Sequence, residues 1–414
     1  MNGRFMAFYN WRKSKPVPEH LNICVITRKI PTIGFLIPIV KGLLQQGHRV
    51  GLIAQTESDI NQWLLPEGLK IQAIKTTGLH RREVQERVLS AFRALHREDP
   101  FDVVHSMDSA GQLIGSLKKE LGVSMVYDID ATHLNHLYSI VGLSQDTLRS
   151  FFKTSFLLGT RFLYNFIRYD RKLLNTADAL FVHSANQRVA MERYFLYPDR
   201  RIFSIPYGLQ IEDLSKREKS GELLSKLKLP TGSQIVVTST DMMEFAELKN
   251  LIRAFEHVAV KKNNARMIII GNGPLFKQVE FEVLNRALGK RVVFAGEVPA
   301  HQLTDYVCLA DVFVNLSSRT SVAEQSLIEA MAQEKVVIAS EVSAVSSVIT
   351  HRSDGFLIRP ADYESLAELM FDVFNGQIDS EKMGKKARET VLSLFDSQKM
   401  VRQTLSGYKL ALRR

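Results

Sequence analysis

The chain has 414 residues, of which 45% are hydrophobic and 24% charged. That balance sustains buried cores, excludes a disordered or collagen-like polymer, and at ~150 residues per domain predicts two or three domains. The net charge is +10, from 54 Lys and Arg against 44 Asp and Glu. Anionic partners are therefore favoured. Zinc-finger spacing, an RNP aromatic motif and a lysine tract are all missing, so nucleic acid is not an expected partner. Two cysteines, Cys24 and Cys308, exclude a disulfide framework and a structural zinc centre. No apolar run reaches the ~18–20 residues of a membrane span, and the opening MNGRFMAFYNWRKSKPVPEH has no apolar signal-peptide core. The expectation is a cytoplasmic chain.

From Leu21, LNICVIT reads as a strand and GFLIPIVKGLLQQG as the helix after it. Leu36, Ile39, Val40 and Leu43 form one helical stripe, and Gly47 is the expected stop. Pro38 is expected near the first turn, where a missing N–H does little harm. RVGLIA, IQAIK, DVVH, SMVYD, ALFVH and RIFSIP follow as strands, with helical segments between most of them. Short runs that are apolar throughout suit a parallel sheet covered on both faces, and alternating strand and helix implies an open doubly wound sheet. Around Gly208–Gly221 the text turns charged, LQIEDLSKREKSG, as in an interdomain linker. A second alternating set follows: QIVVTS, RMIII, VVF, DVFVNL, KVVIAS and GFLI as strands, with LKNLIRAFEHVAV and SLIEAMA among the helices. The expected organisation is a basic and aromatic arm (1–20), a Rossmann-like domain (21–208), a linker (209–222), a second Rossmann-like domain (223–380) and C-terminal helices (381–414) packing back on the first domain. Two α/β domains of similar size would face each other across a cleft.

Three places could carry chemistry. In MIIIGNGP, Gly271 and Gly273 end a buried strand before a helix; they suit close approach to a phosphate, and equally a tight strand-to-helix turn. Gly34 holds the corresponding place in the first half. In NLSSRTSVAEQSLIEAMAQEKVVIAS, Glu329 lies among Leu327, Ile328, Ala330 and Met331. A carboxylate there needs a partner if it is buried, such as a diol, and reads as an ordinary solvated glutamate if it is not. Asp128 and Asp130 in YDID have the spacing of a hard-cation site, with acceptor contact or helix capping as the alternative use.

The stretch from Ile235 to about Leu369, with ADALFVHS and RIFSIPYGL before it, resembles the retaining glycosyltransferases of the family 4 group, which have the GT-B fold. The residues that carry this are Lys249 in ELKNLIRAF, IIIGNGP, VVFAGEV, LADVFVNLS and LIEAMAQEKVVIAS. Gly34, QGHRV, FDVVHS and VSMVYDID extend it over the first half. The resemblance implies transfer of a sugar from a nucleotide-sugar donor, with a UDP-sugar as the expected one, to a glycan or lipid-linked acceptor in cell-envelope or extracellular polysaccharide synthesis. It assigns Lys249 to the leaving diphosphate, Glu329 to the ribose hydroxyls, the backbone near Phe294 to the base, and Gly34 to a helix N-terminus facing the phosphates. No cofactor and no metal are expected.

The departures are specific. The first glutamate of the family pair falls at Ser321, and the loop glycine falls at Glu324. The arginine that accompanies the lysine is missing, and the family histidine falls at Asp130. Ser321-Val-Ala-Glu324 also reads as a capping box, with Glu324 reaching back to the serine; Ser321 could still offer a hydroxyl to the donor sugar. These departures suit a second reading, a non-catalytic GT-B subunit supporting a partner transferase. A third, a nucleotide-sugar epimerase of the same fold, fits the lysine and E-A-M-A context less well. Finally, RSFFKTSFLLGTRFLYNFIR, residues 149–168, sets Phe152, Phe156, Leu163 and Ile167 on one stripe among Arg and Lys. A core or interdomain role competes there with an anionic membrane surface at the inner face of the membrane. The aromatic and basic N-terminal arm is a second membrane candidate.

Overall fold

The computed structural model describes residues 17–27, 33–56, 68–76, 78–129, 159–160, 163–193, 195–205, 215–317 and 324–413. The first half alternates as the apolar runs require: β1 (Asn22–Thr27), α1 (Ile33–Gln45), β2 (Arg49–Thr56), β3 (Lys70–Lys75), α2 (Arg81–Glu98), β4 (Val103–Ser106), α3 (Gln112–Leu121), β5 (Ser124–Asp128), α4 (Arg171–Thr176), β6 (Ala179–Val182), α5 (Ala185–Arg193) and β7 (Ile202–Ser204). Its strands pair in parallel in the order β3-β2-β1-β4-β5-β6-β7. Every residue of β1 is buried, because helices cover both faces. Ile26, Val104 and Tyr127 pack with Phe92 on one face, while Val25, Val126 and Phe181 pack with Leu36 on the other.

The second half repeats the plan with α6 (Gly221–Lys226), β8 (Gln234–Ser239), α7 (Phe245–Lys261), β9 (Ala265–Ile270), α8 (Phe276–Asn285), β10 (Val292–Gly296), α9 (Ala300–Cys308), β11 (Val312–Asn315), α10 (Gln325–Ala332), β12 (Val336–Ser340), α11 (Ser343–Ser346), β13 (Phe356–Ile358), α12 (Tyr363–Phe374), α13 (Ser380–Leu394) and α14 (Ser397–Leu412). The parallel order is β10-β9-β8-β11-β12-β13. In an open sheet of this kind ligands bind beyond the carboxyl ends of the strands, where the order reverses. Those places lie between β1 and β4 and between β8 and β11.

Two segments join the halves. Residues 215–219 are strapped to the second domain: Lys216 pairs with Glu334, Arg217 with Asp305 and Lys219 with Asp311. The two terminal helices, capped by Asp379 and Asp396, divide between the domains. α13 packs on α10 and β12, whereas α14 crosses to α1 and to β5, β6 and β7 of the first sheet. Met400, Val401 and Tyr408 of α14 complete the first domain's core.

One local expectation is corrected. Because α1 starts at Ile33, Pro38 lies inside the helix, beyond the first turn. Its missing N–H leaves the Gly34 carbonyl without an i→i−4 donor. Among the described residues no helix is long and apolar enough to cross a membrane.

Candidate functional site

A cavity of about 260 Å³ opens at the order reversal of the second sheet. Its floor is the end of β8, Thr238 and Ser239, followed by Thr240 and Asp241. Glu247, Leu248 and Leu251 of α7 form one wall, and Leu316, Ser317 and Glu324 the other. Beside it, the glycines of MIIIGNGP are explained first by packing. Gly271 sits at φ +112°, and a Cβ there would lie 1.9 Å from the Thr240 carbonyl oxygen. A Cβ at Gly273 would lie equally close, 1.9 Å, to the Asp241 carbonyl oxygen. These glycines let the loop after β9 lie against the loop that forms the cavity floor, so their first duty is to shape the site.

Lys249 stands on α7 next to the wall residue Leu248, but its own side is exposed and it does not line the cavity. Phe294, half-buried on β10, packs edge-on against Phe276 at 5.2 Å between ring centroids. Gly34 lies in the first turn of α1, at the corresponding end of the first sheet. Asp130 and Ser321 lie outside the described residues.

Glu324 departs from its expected part. α10 begins at Gln325 with Glu324 as the N-cap residue, so Glu324 is not the N3 partner of a capping box. Its carboxylate turns to β11 and accepts from Asn315 Nδ2 at 2.8 Å. Burial pushes this carboxyl above its ordinary value; bonds with Ser317 and Asn315 oppose that, and the nearby Glu247 and Asp241 add to it. Asp241, Glu247 and Glu324 make the cavity lining acidic.

Glu329 is 5% exposed, so the reading as a solvated glutamate does not hold. One carboxylate oxygen accepts from Thr304 Oγ1 at 2.9 Å and the other from Gln325 Nε2 at 2.7 Å. Burial again raises the pKa, opposed by these bonds and by Arg217. Of these two donors Thr304 comes from α9, whereas Gln325 lies one turn before Glu329 on α10 itself.

The first domain holds a polar network that motif reading passed over. Asp128, the last residue of β5, is bonded to His183 Nε2. His183 Nδ1 donates to the Ile205 carbonyl at 2.8 Å. His105 of β4 faces the other Asp128 oxygen at 3.8 Å and bonds the Tyr408 hydroxyl through Nδ1 at 2.9 Å. Burial alone would raise the Asp128 carboxyl, but the two histidines outweigh it and hold it down at about 2. With its oxygens turned to imidazoles, Asp128 is engaged in structure rather than offered to a cation. DVVHS sets His105 one residue before the end of β4, and FVHS sets His183 just past β6. Two histidines at the ends of the strands that flank β5 were the available signal, but Tyr408 lies 303 residues from His105 and no local pattern connects them.

Two doubly wound parallel domains, with the last helix returned to the first, define the GT-B class of two-domain enzymes. The description "Glycosyl transferase 4-like domain" matches residues 38–208 and "Glycosyl transferases group 1" matches residues 220–390. The chain belongs to this family of GT-B glycosyltransferases. The N-acetyl-alpha-D-glucosaminyl L-malate synthase of Bacillus anthracis is 25% identical over 192 residues, 46% of this chain and 49% of that protein. The match thus spans about half the length of that relative. The alpha-monoglucosyldiacylglycerol synthase of Streptococcus pneumoniae is 20% identical over 322 residues, 76% of this chain and 69% of that protein. Among solved structures, Anabaena HepE in complex with UDP-glucose superposes with a TM-score of 0.70 at 17% identity, covering 94% of this chain and 100% of that one. Such relatives are glycosyltransferases of cell-envelope polysaccharide and glycolipid synthesis.

Proposed function

We propose that the chain transfers a sugar from a UDP-sugar to a glycan or lipid-linked acceptor with retention of configuration, working on the cytoplasmic side at an anionic membrane surface. The observation that carries this reading is the cavity at the order reversal between β8 and β11, shaped by Gly271 and Gly273 and flanked by the start of α7. HepE, of the same fold, holds UDP-glucose. In this reading Lys249 swings from its exposed position to neutralise the leaving diphosphate. Glu329 exchanges Gln325 for the ribose hydroxyls, and the backbone at Phe294 meets the base. The N-terminus of α1 at Gly34 adds a dipole towards the phosphates. Ser321 would address the donor sugar and Asp130 the acceptor. Lysine and helix dipole supply the electrostatics, without a resident metal.

A second reading, a non-catalytic subunit, is favoured by one observation: Glu324 stands where the family has glycine and shares the cavity with Asp241 and Glu247. Thermal shift with UDP-, GDP- and ADP-sugars, followed by a transfer assay, separates the two. Saturating donor at ~100 times its Kd should add ~2.7 kcal/mol of stability. Stabilisation by a UDP-sugar that disappears in Lys249→Ala and Glu329→Ala supports the transferase. A folded protein that no nucleotide-sugar stabilises is the non-catalytic subunit.

A further inference from the structure

The segment before α4 exposes an apolar group that the core does not use. Leu163 is 55% exposed, Tyr164 61% and Ile167 54%. Leu163 and Tyr164 are adjacent and Ile167 lies one turn on, along a helical stretch that continues through a π-helical turn, Phe166–Asp170, into α4. The opposite side of this stretch is anchored: Phe166 packs edge-on against Phe195 at 5.2 Å, and Asp170, Leu173 and Leu174 are buried. The outward orientation of Leu163 and Ile167 is therefore set by the fold, and the core role expected for this stripe is not theirs. Phe152 and Phe156 lie outside the described residues.

The charges beside these apolar groups have one sign. Arg168, Arg171 and Lys172 are exposed, and the only acid between residues 163 and 172, Asp170, is buried. The second domain also exposes apolar groups, Phe281 and Leu284 of α8, but there the nearby cations are neutralised in ion pairs, Lys277 with Glu280 and Arg286 with Glu282 and Glu256. An apolar contact rimmed by cations fits a surface with acyl chains below anionic headgroups, whereas one rimmed by neutralised ion pairs gains little from the headgroup charge.

We infer that Leu163, Tyr164 and Ile167, with Arg168, Arg171 and Lys172, form a docking face for an anionic lipid bilayer. The inference deepens the membrane element of the proposed function by naming the surface that makes contact. Leu163, Tyr164 and Ile167 enter the interface and the three cations meet the headgroups, so that the first domain rests on the bilayer. Neither acyl burial nor charge alone gives firm attachment; the two act together.

The test is co-sedimentation of the full chain with vesicles of phosphatidylcholine alone or with ~30% phosphatidylglycerol. Partitioning onto the anionic vesicles should exceed that onto neutral ones by at least ~10-fold and fall in high salt. Arg168→Glu/Arg171→Glu should lower it by ~25-fold or more, and Leu163→Ser/Ile167→Ser by ~10-fold. Phe281→Ser/Leu284→Ser serves as the control and should bind as wild type. Equal binding to both vesicle types, or wild-type binding by both first-domain variants, overturns the inference. All variants should keep the wild-type melting temperature and any donor-induced shift. Failure of the vesicle test is thereby distinct from failure of the donor site.

Discussion

The carboxyl ends of the two sheets treat their carboxylates in opposite ways. In the first sheet Asp128 is closed in by His183 and His105, and its pKa is held low. In the second, Glu324 shares an open cavity with Asp241 and Glu247, and its pKa is raised. Burial raises both carboxyls. At Asp128 the two histidines outweigh it, whereas at Glu324 the bonds with Ser317 and Asn315 do not, and Glu247 and Asp241 add to the rise. The first arrangement is a structural bond that reaches α14 through Tyr408. The second lines the cavity at the order reversal of the second sheet.

The largest test of this contrast is Asp128→Asn. It leaves His183 and His105 facing an amide, and breaking such a buried pair should lower stability by ~3–5 kcal/mol. Urea denaturation measures the loss, while the donor-induced thermal shift should persist, because the change lies in the other domain. Lys249→Ala is the reverse case: it should weaken donor binding by ~1.5–3 kcal/mol in calorimetry with an unchanged urea midpoint, since Lys249 is exposed. Wild-type donor affinity in this variant would remove Lys249 from the site.

Acid titration sharpens the comparison next. Asp128 drops from 3.8 to about 2 on folding, so its contribution is complete above about pH 4 and is lost as pH falls through the folded value. That loss is worth ~2 kcal/mol and should be absent in Asp128→Asn. Glu324 carries the opposite sign: its raised pKa disfavours the folded state as pH rises through and above the ordinary carboxylate range. Glu324→Gln should therefore raise the melting temperature at neutral pH and tighten binding of a UDP-sugar by ~1 kcal/mol, through relief of like-charge repulsion. Weaker donor binding in this variant would mean that Glu324 accepts hydrogen bonds from the donor.

Reading by pattern succeeded where the physics is local. Apolar runs such as LNICVIT, SMVYD and QIVVTS are strands because a sheet covered on both faces buries successive side chains on either side. GNGP marked a turn whose glycines are required by backbone contact. Local reading went astray at Glu324, where serine and glutamate at capping-box spacing suggested one partner and the fold supplied another, Asn315. It also left Leu163 and Ile167 undecided, because an amphipathic stripe looks the same whether it faces a core or a membrane.

The amino-acid order by itself determined the two doubly wound domains and the family, since these depend on periodicity and on motifs a few residues long. Only the tertiary structure decided which carboxylates are paired, which side of the 163–172 stretch is outward, and that of the terminal helices expected on the first domain only α14 reaches it while α13 stays on the second. Those outcomes depend on contacts such as His105 with Tyr408, between residues 303 positions apart. The energy of such a contact exists only after the chain between its partners has folded.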